Sequence, residues 1–294
     1  MPSLKEVKSR ITSVISTQQI TKAMKMVAAA KLRKSQDRIM QMRPFAQKMN
    51  ALLQNLSSAE GDGQAWYSQV REEKKVLIIA ITSDRGLCGA FNSSVFKAVQ
   101  RLIEEKYAQQ AKQGNVTFLP LGKKAFEYFD KRKAKSIDQY WGLFHHLSFE
   151  ETTKIGDHVM EGFRKGEFDK VEIVYNEFKN VATQVLRIEQ FLPILPPAEN
   201  KSTKGVQTDY IYQPNQEEIL SGLIPKSLKV QLYKAVLDSN AAENGARMTA
   251  MDKATDNAGE LLKDLKLTYN RTRQAAITKE ILEIVAGAEA LKSS

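Results

Sequence analysis

One segment of the sequence stands where a phosphate-binding loop would lie. The run SDRGLCGAFN, residues 83–92, follows an apolar stretch typical of a buried strand and precedes a predicted helix. Backbone amides at the amino end of a helix bind phosphate groups, and glycines let the ligand approach closely. Gly86 and Gly89 supply only the pattern GxxG, so neither the dinucleotide pattern nor the P-loop pattern is complete. A tight strand-to-helix turn is the alternative interpretation, and we favour it.

Residues that could act as nucleophiles or metal ligands are few. Cys88 is the only cysteine, which excludes an internal disulfide and a multi-cysteine metal site. It precedes a predicted helix, a position that lowers the pKa of a thiol, but free cysteines more often pack as small apolar residues. The histidines, His145, His146 and His158, lack the spacing of two ligands on one helix. The sequence therefore predicts no catalytic residue and no metal site.

The positive charge is concentrated near the amino terminus. The formal net charge of the chain is +10, and residues 1–58 contain seven lysines and four arginines. Glu6 and Asp37 are the only acidic residues there. A localised positive surface indicates an acidic partner, which could be nucleic acid or an acidic protein surface. Phe45 is the only aromatic residue of this segment, so the stacking platform of single-strand binders is missing.

Composition excludes several broad classes of protein. Of the 294 residues, 42% are hydrophobic and 27% are charged, which excludes collagen-like and disordered chains. No stretch reaches the ~20 consecutive apolar residues of a membrane span. The first residues also lack the apolar segment of a secretory signal. We therefore expect one or two folded domains.

The first 58 residues have the pattern of one long helix. Apolar side chains recur three and four residues apart, which is typical of a coiled-coil seam. They are Leu4, Val7, Ile11, Val14, Leu32, Ile39, Met42, Ala46, Met49, Leu53 and Leu56. Between Val14 and Leu32 the stripe shifts by one residue, to Ile20, Met24 and Val27. Such a helix is about 80 Å long and needs a partner that covers its stripe.

A second long helix is predicted at the other end of the chain. We interpret Pro225 as a helix breaker, and residues 226–291 contain no further proline. The middle of this segment, between Ala241 and Gly259, is rich in alanine and glycine, which lets another helix approach closely. We therefore expect an antiparallel coiled coil of two terminal domains, residues 1–58 and 214–294.

The third predicted domain, residues 74–195, alternates strands and helices. Predicted strands are 75–82, 116–122, 136–139, 171–178 and 184–191, and predicted helices are 93–112, 123–132 and 148–166. The last two strands form a predicted hairpin, and Ser148 is the predicted cap of the last helix. The alternation indicates a mostly parallel sheet covered by helices. The predicted fold class is therefore mixed α/β and α+β: a long antiparallel coiled coil plus a central Rossmann-like domain.

The remaining segments are predicted linkers. Residues 57–64 and 195–213 are polar or rich in proline, and they lie between the three predicted domains. Their composition is typical of connections.

Three motifs follow one another along the chain. They are ITKAMKMVAAAKLRKSQDR at 20–38, SDRGLCGAFN at 83–92, and the tract 246–291 with ARMTAMDKATDNA and YNRTRQAAITKEILEIVAGAEAL. In this order they strongly resemble the gamma subunit of F-type ATP synthase, and the resemblance covers essentially the whole chain. It implies a non-catalytic rotor whose coiled coil turns inside a ring of alternating alpha and beta subunits. Rotation would couple ion flow, expected to be of protons, through a membrane ring to ATP synthesis or hydrolysis.

The resemblance also implies partners and contact residues. The expected partners are the alpha and beta subunits, the epsilon subunit and the membrane c-ring, with no nucleic acid and no membrane span. Lys22, Met24 and Lys25 match the family segment that faces the beta-subunit lever. The tract that contacts the catch loops of beta is matched by Arg273, Gln274 and Thr278.

The implied location and cofactors follow from the same resemblance. No transit peptide precedes the first motif, which indicates a bacterial chain. We expect it at the plasma membrane, held peripherally on the cytoplasmic side. No cofactor is expected on the chain itself, because ATP, ADP and magnesium would bind to the partner subunits.

Two other functions stay open on the residues alone. A nucleotide-binding enzyme would use the glycine turn at 83–92 and would bind nucleotide as an isolated chain. A basic coiled-coil protein that binds nucleic acid would show a steep inverse dependence on salt.

Overall fold

The computed structural model describes residues 3–57, 66–194 and 216–292, without the side chains of 43, 46, 47, 50–57, 216–221 and 290–292. The predicted linkers 57–64 and 195–213 lie outside the described residues, apart from Ser57. Two units are present. The helical unit comprises Met1–Ala28 and Met248–Ser294, and the α/β unit comprises Ala29–Arg247. The predicted domain ranges stay predictions.

Two long helices contribute residues to both units. Helix α1 spans Leu4–Ser57, and the last helix of the chain, α6, spans Gln216–Lys292. Neither helix, nor any other among the described residues, is long and apolar enough to cross a membrane.

In the helical unit these two helices pair in antiparallel orientation. Lys25 of α1 contacts Asp252 of α6. Thr21, four residues earlier on α1, contacts Thr255, three residues later on α6. The contacts therefore advance in opposite directions along the two helices. The predicted antiparallel coiled coil of the fold class is confirmed.

The seam of α1 keeps an uninterrupted spacing of three and four residues. Buried or half-buried side chains at this spacing are Leu4, Val7, Ile11, Val14, Gln18, Thr21, Lys25, Ala28, Leu32, Ser35, Ile39 and Met42. The predicted shift of the stripe is wrong, because Ile20 and Val27 are 59% and 57% exposed. Polar residues such as Thr21 and Ser35 occupy seam positions, so the apolar pattern alone misplaces the seam.

The α/β unit contains a four-stranded sheet in the order β2-β1-β3-β4. Its strands are β1 (Val76–Ile81), β2 (Val116–Leu121), β3 (Lys170–Phe178) and β4 (Gln184–Leu192). Strands β2, β1 and β3 are parallel, and β4 pairs antiparallel with β3. The predicted hairpin is therefore confirmed. Strands β1 and β2 are buried throughout, as their continuous apolar runs predict.

Helices cover both faces of this sheet. They are α2 (Phe91–Lys106), α4 (Lys123–Asp130), α5 (Phe149–Arg164) and part of α6. The short helix α3 (Ala108–Lys112) follows α2 and buries none of its residues. Leu77 and Ile79 of β1 belong to the core formed with α5 and α6, whereas Ile78 belongs to the core formed with α2 and α4. Alternate residues of the strand thus fill opposite cores. The predicted Ser148 cap is confirmed, since its hydroxyl accepts a hydrogen bond from the Glu151 amide at 3.2 Å.

Within the α/β unit, one predicted helix is interrupted and one predicted strand is wrong. The helix expected over 93–112 is interrupted at Tyr107, which is fully buried and donates its hydroxyl to the buried Glu172 carboxylate. The strand expected near 136–139 is a single bridge between Ser136 and Phe118. The Ser136 hydroxyl donates to the Asp138 carboxylate at 2.5 Å, where a short 3₁₀ turn begins. A buried tyrosine and a local side-chain contact thus override the sequence pattern.

The interpretation of Pro225 as a helix breaker is also wrong. Helix α6 begins at Gln216 and continues through Pro225. Proline removes one backbone hydrogen bond of a helix. Here Ile224 packs against the core and Leu228 is 3% exposed, so the apolar contacts of these two side chains offset the loss.

Gly122 gives a test of the packing in the α/β unit. It has φ +106°, and an added Cβ would lie 2.3 Å from the Thr82 carbonyl oxygen. We expect Gly122→Ala to lower the free energy of unfolding by at least about 2 kcal/mol. Gly86→Ala is the control, because nothing lies within 4 Å of its Cβ position. Urea unfolding monitored by tryptophan fluorescence measures both, since the Gly122 amide donates to the Trp141 carbonyl. Equal free energies of unfolding for the two variants would contradict the close contact between position 122 and the Thr82 carbonyl.

Candidate functional site

The last described turns of α6 form an exposed surface. Every residue from 273 to 289 is exposed, and the predicted contact residues Arg273, Gln274 and Thr278 are part of it. Large apolar side chains in this tract are between 48% and 72% exposed. They are Ile277, Ile281, Leu282, Ile284 and Val285. Exposed apolar side chains this close together mark a surface that a partner covers.

The tract is helical because of local propensity. Its residues are mostly alanine, glutamate, leucine, isoleucine and lysine, and several of these are strong helix formers. An ion pair between Lys279 and Glu283, at 3.6 Å and four residues apart, adds a small stabilisation. The helix thus presents its side chains on a defined surface without burying them.

The three predicted contact residues on α1 differ in their surroundings. Lys22 is exposed and Met24 is half-buried. The ammonium of Lys25 lies 2.5 Å from the Asp252 carboxylate of α6, and both side chains are about half exposed. Lys25 therefore makes a contact across the helix pair, which the sequence did not indicate.

The structure does not bring the two predicted groups of contact residues together. Asp252, which faces Lys25, lies 21 residues before Arg273 on the same helix. At ~1.5 Å of rise per residue this separation is about 30 Å. The helical unit therefore carries two separate candidate contact surfaces.

The 83–92 loop is held by a buried arginine of α6. The Arg247 guanidinium donates to the Gly86 carbonyl at 2.5 Å and to the Arg85 carbonyl at 3.0 Å. It also pairs with Glu243 at 2.6 Å, and both side chains are less than 15% exposed. Burial raises the pKa of the Glu243 carboxyl, an effect that the Arg247 charge opposes. The loop carbonyls thus face an arginine that the sequence did not single out.

Backbone amides near this loop already have partners. The Ser83 amide donates to the Asn92 side chain. The amides of Lys123 and Ala125, at the start of α4, donate to the Asp84 and Thr82 side chains. These amides are therefore occupied by groups of the protein itself, and they do not favour a phosphate site.

Cys88 is itself a residue of this loop. Its side chain is 2% exposed, and the Asn92 amide group donates to its sulfur at 3.3 Å. Burial raises the pKa of the Cys88 thiol. A neutral, covered thiol is a poor nucleophile. Among the residues that the structure describes, no group of three metal-ligating side chains is present.

The rate at which Cys88 reacts tests whether Arg247 holds the loop. Lysine cannot span two carbonyls, so Arg247→Lys removes charged hydrogen bonds of about 1.5–3 kcal/mol and loosens the loop. We expect a thiol reagent to label Cys88 about tenfold faster in this variant. Arg101→Lys is the control, since exposed Arg101 also has a glutamate partner four residues away. Labelling at equal rates in both variants would show that Arg247 does not hold the loop.

Comparison with known proteins identifies one family. A family model described as ATP synthase matches residues 3–291. The chain is 57% identical to the ATP synthase gamma chain of Cytophaga hutchinsonii, and the alignment covers 100% of both chains.

Two solved structures have a similar fold. One is a central stalk and c-ring structure of Tetrahymena thermophila mitochondrial ATP synthase, at 26% identity and a TM-score of 0.56, covering 80% of this chain and 99% of the other. The second is a rotor structure of Euglena gracilis mitochondrial ATP synthase, at 22% identity and a TM-score of 0.63, covering 93% of this chain and 98% of the other.

Proposed function

The chain belongs to the ATP synthase gamma chain family and is the central-stalk rotor subunit of an F-type ATP synthase, and we propose how it transmits rotation. By itself it is non-catalytic and binds no nucleotide, and ATP, ADP and magnesium bind to its partners. The observation that carries this proposal is the exposed tract 273–289, whose apolar side chains need a partner surface.

The proposed partners are those of the assembled enzyme. The helical unit contacts the alpha and beta subunits, and the α/β unit contacts the epsilon subunit and the c-ring. The similarity to the Tetrahymena thermophila central stalk and c-ring structure, over 80% of this chain, supports this assembly. In a bacterium the complex holds the chain peripherally, on the cytoplasmic side of the plasma membrane, where proton flow through the ring turns it.

Rotation is coupled to catalysis by differential contacts. One copy of this asymmetric chain meets three chemically identical beta subunits, so each rotor angle favours a different conformation of each beta subunit. Apolar side chains such as Ile281 and Ile284 suit this sliding contact, because the hydrophobic effect is not directional. Basic side chains such as Lys22 and Arg273 attract an acidic partner surface.

Arg273 and Gln274 test the contact at the end of α6. We expect Arg273→Ala with Gln274→Ala to lower ATP turnover of the assembled complex about five- to tenfold, because an interface loses a charged donor. The melting temperature of the chain itself should not change, since both side chains are exposed on it. Gln100→Ala with Arg101→Ala removes the same residue types from an exposed face of α2 and serves as the control. Unchanged turnover in the first variant would contradict the assignment.

Met24 tests the contact on α1. Met24→Lys adds a charge at a half-buried position, and we expect fewer protons pumped for each ATP hydrolysed, by a factor of about three. The same change at Met26, which is 60% exposed on another side of the helix, should have a smaller effect. The measurement is acidification of membrane vesicles together with the rate of ATP hydrolysis. Equal pumping by both variants would place the contact elsewhere.

A further inference from the structure

In one stretch of the helical unit, residues 18–28 of α1 pair with residues 251–259 of α6 through small or flexible side chains. On α1 the buried residues are Thr21 and Ala28, and on α6 they are Met251 and Ala258. Small side chains form shallow ridges, and methionine adapts to irregular gaps. Apolar packing of this kind changes little when one helix moves along the other. It therefore defines the axial register of the pair only weakly.

Polar contacts between the helices occur in this same stretch. The hydroxyl oxygens of Thr21 and Thr255 lie 2.8 Å apart. One turn along α1, the Lys25 ammonium lies 2.5 Å from the Asp252 carboxylate. Both contacts join α1 to α6, whereas the Glu6–Arg10 pair of the same unit lies within a single helix.

Gln18 adds a third contact at the same level. Its side-chain amide donates to the Thr255 carbonyl at 3.4 Å. A Cβ at position 259 would lie 3.1 Å from this amide nitrogen, so Gly259 leaves room for the glutamine. Three successive seam residues of α1 thus contact polar groups of α6.

The polar contacts form only when the two helices have one particular axial register, whereas the apolar packing tolerates others. A slide of one helical turn, about 5.4 Å, separates both polar pairs. The Thr21 side chain is 8% exposed. Its hydroxyl also donates to the Gln18 carbonyl of α1, and the Thr255 hydroxyl to the Met251 carbonyl of α6, so the slide removes only the contact between the two hydroxyls. A polar residue at a seam position can specify the register of a coiled coil for this reason.

We infer that the Thr21–Thr255 and Lys25–Asp252 pairs form an axial lock, which keeps the two helices of the rotor in register while torque acts on them. The inference rests on the proposed function. It assigns Lys25 as a positioning residue that acts through Asp252, in place of a direct contact with a beta subunit. An ion pair this exposed contributes little to the free energy of unfolding, so its role is tested by proton pumping and not by stability.

A charge exchange tests the role of Lys25 in the assembled complex. Lys25→Asp places two carboxylates opposite each other, and we expect protons pumped per ATP to fall about threefold. Adding Asp252→Lys restores the pair with its charges reversed, so pumping should recover to nearly the unmodified level. Lys22→Asp is the matched variant, because exposed Lys22 has the same charge and lies one turn away. Its defect should not be relieved by Asp252→Lys.

The outcomes of this exchange separate the two proposals. An unmodified complex that does not pump protons would contradict the proposed function itself. A pumping complex in which Lys25→Asp has no effect, or is not relieved by Asp252→Lys, would overturn the lock.

The hydroxyl pair gives a second test that does not depend on charge. Thr21→Val with Thr255→Val keeps the shape of both side chains and removes the hydroxyls. We expect pumping per ATP to fall about twofold or more while the melting temperature of the complex is unchanged or higher. Thr21→Ser with Thr255→Ser keeps the hydroxyls and should keep the pumping. Equal pumping by the valine and serine variants would overturn the lock.

Discussion

The structure depends on one constraint: the buried stripe of each terminal helix must be covered by another element of the protein. Helix α1 has 54 residues and α6 has 77, and a helix of such length gains most of its stability from the surface that it buries. In the helical unit each is the other's partner. In the α/β unit, α6 also covers one face of the sheet with Leu228, Leu232 and Val236. One helix thus completes the core of both units.

The sequence predicts those parts of the fold whose cause is local or periodic. The buried strands, the hairpin and the Ser148 cap follow from apolar runs, turn residues and capping chemistry, all of which are visible in a short window. The failures arise where tertiary contacts decide. Tyr107 interrupts a helix because its hydroxyl reaches Glu172. Helix α6 continues through Pro225 because Ile224 and Leu228 pack against the core on either side of it. The apolar pattern misplaces the seam near Thr21, because a polar residue there has its partner on the other helix.

The candidate site shows the same division. Resemblance to a family located the exposed tract that begins at Arg273, since sequence motifs are continuous along a helix. It could not show that Lys25 faces Asp252, or that Arg247 holds the 83–92 loop, because those partners are far apart in sequence. Exposed side chains are thus available to partner subunits, whereas side chains with a polar partner within the chain hold the rotor itself together. Exposed basic and apolar side chains suit contact with partners, whereas the matched polar pairs join the two helices.

A single rotor inside a catalytic ring must purify together with the subunits of that ring. Co-expression with the alpha and beta subunits from the same genome, followed by purification through a tag on beta, tests it most directly. We expect a complex that hydrolyses ATP and contains one copy of this chain for three beta subunits. A chain that stays separate from alpha and beta, or that binds nucleotide by itself in stoichiometric amount, would contradict it.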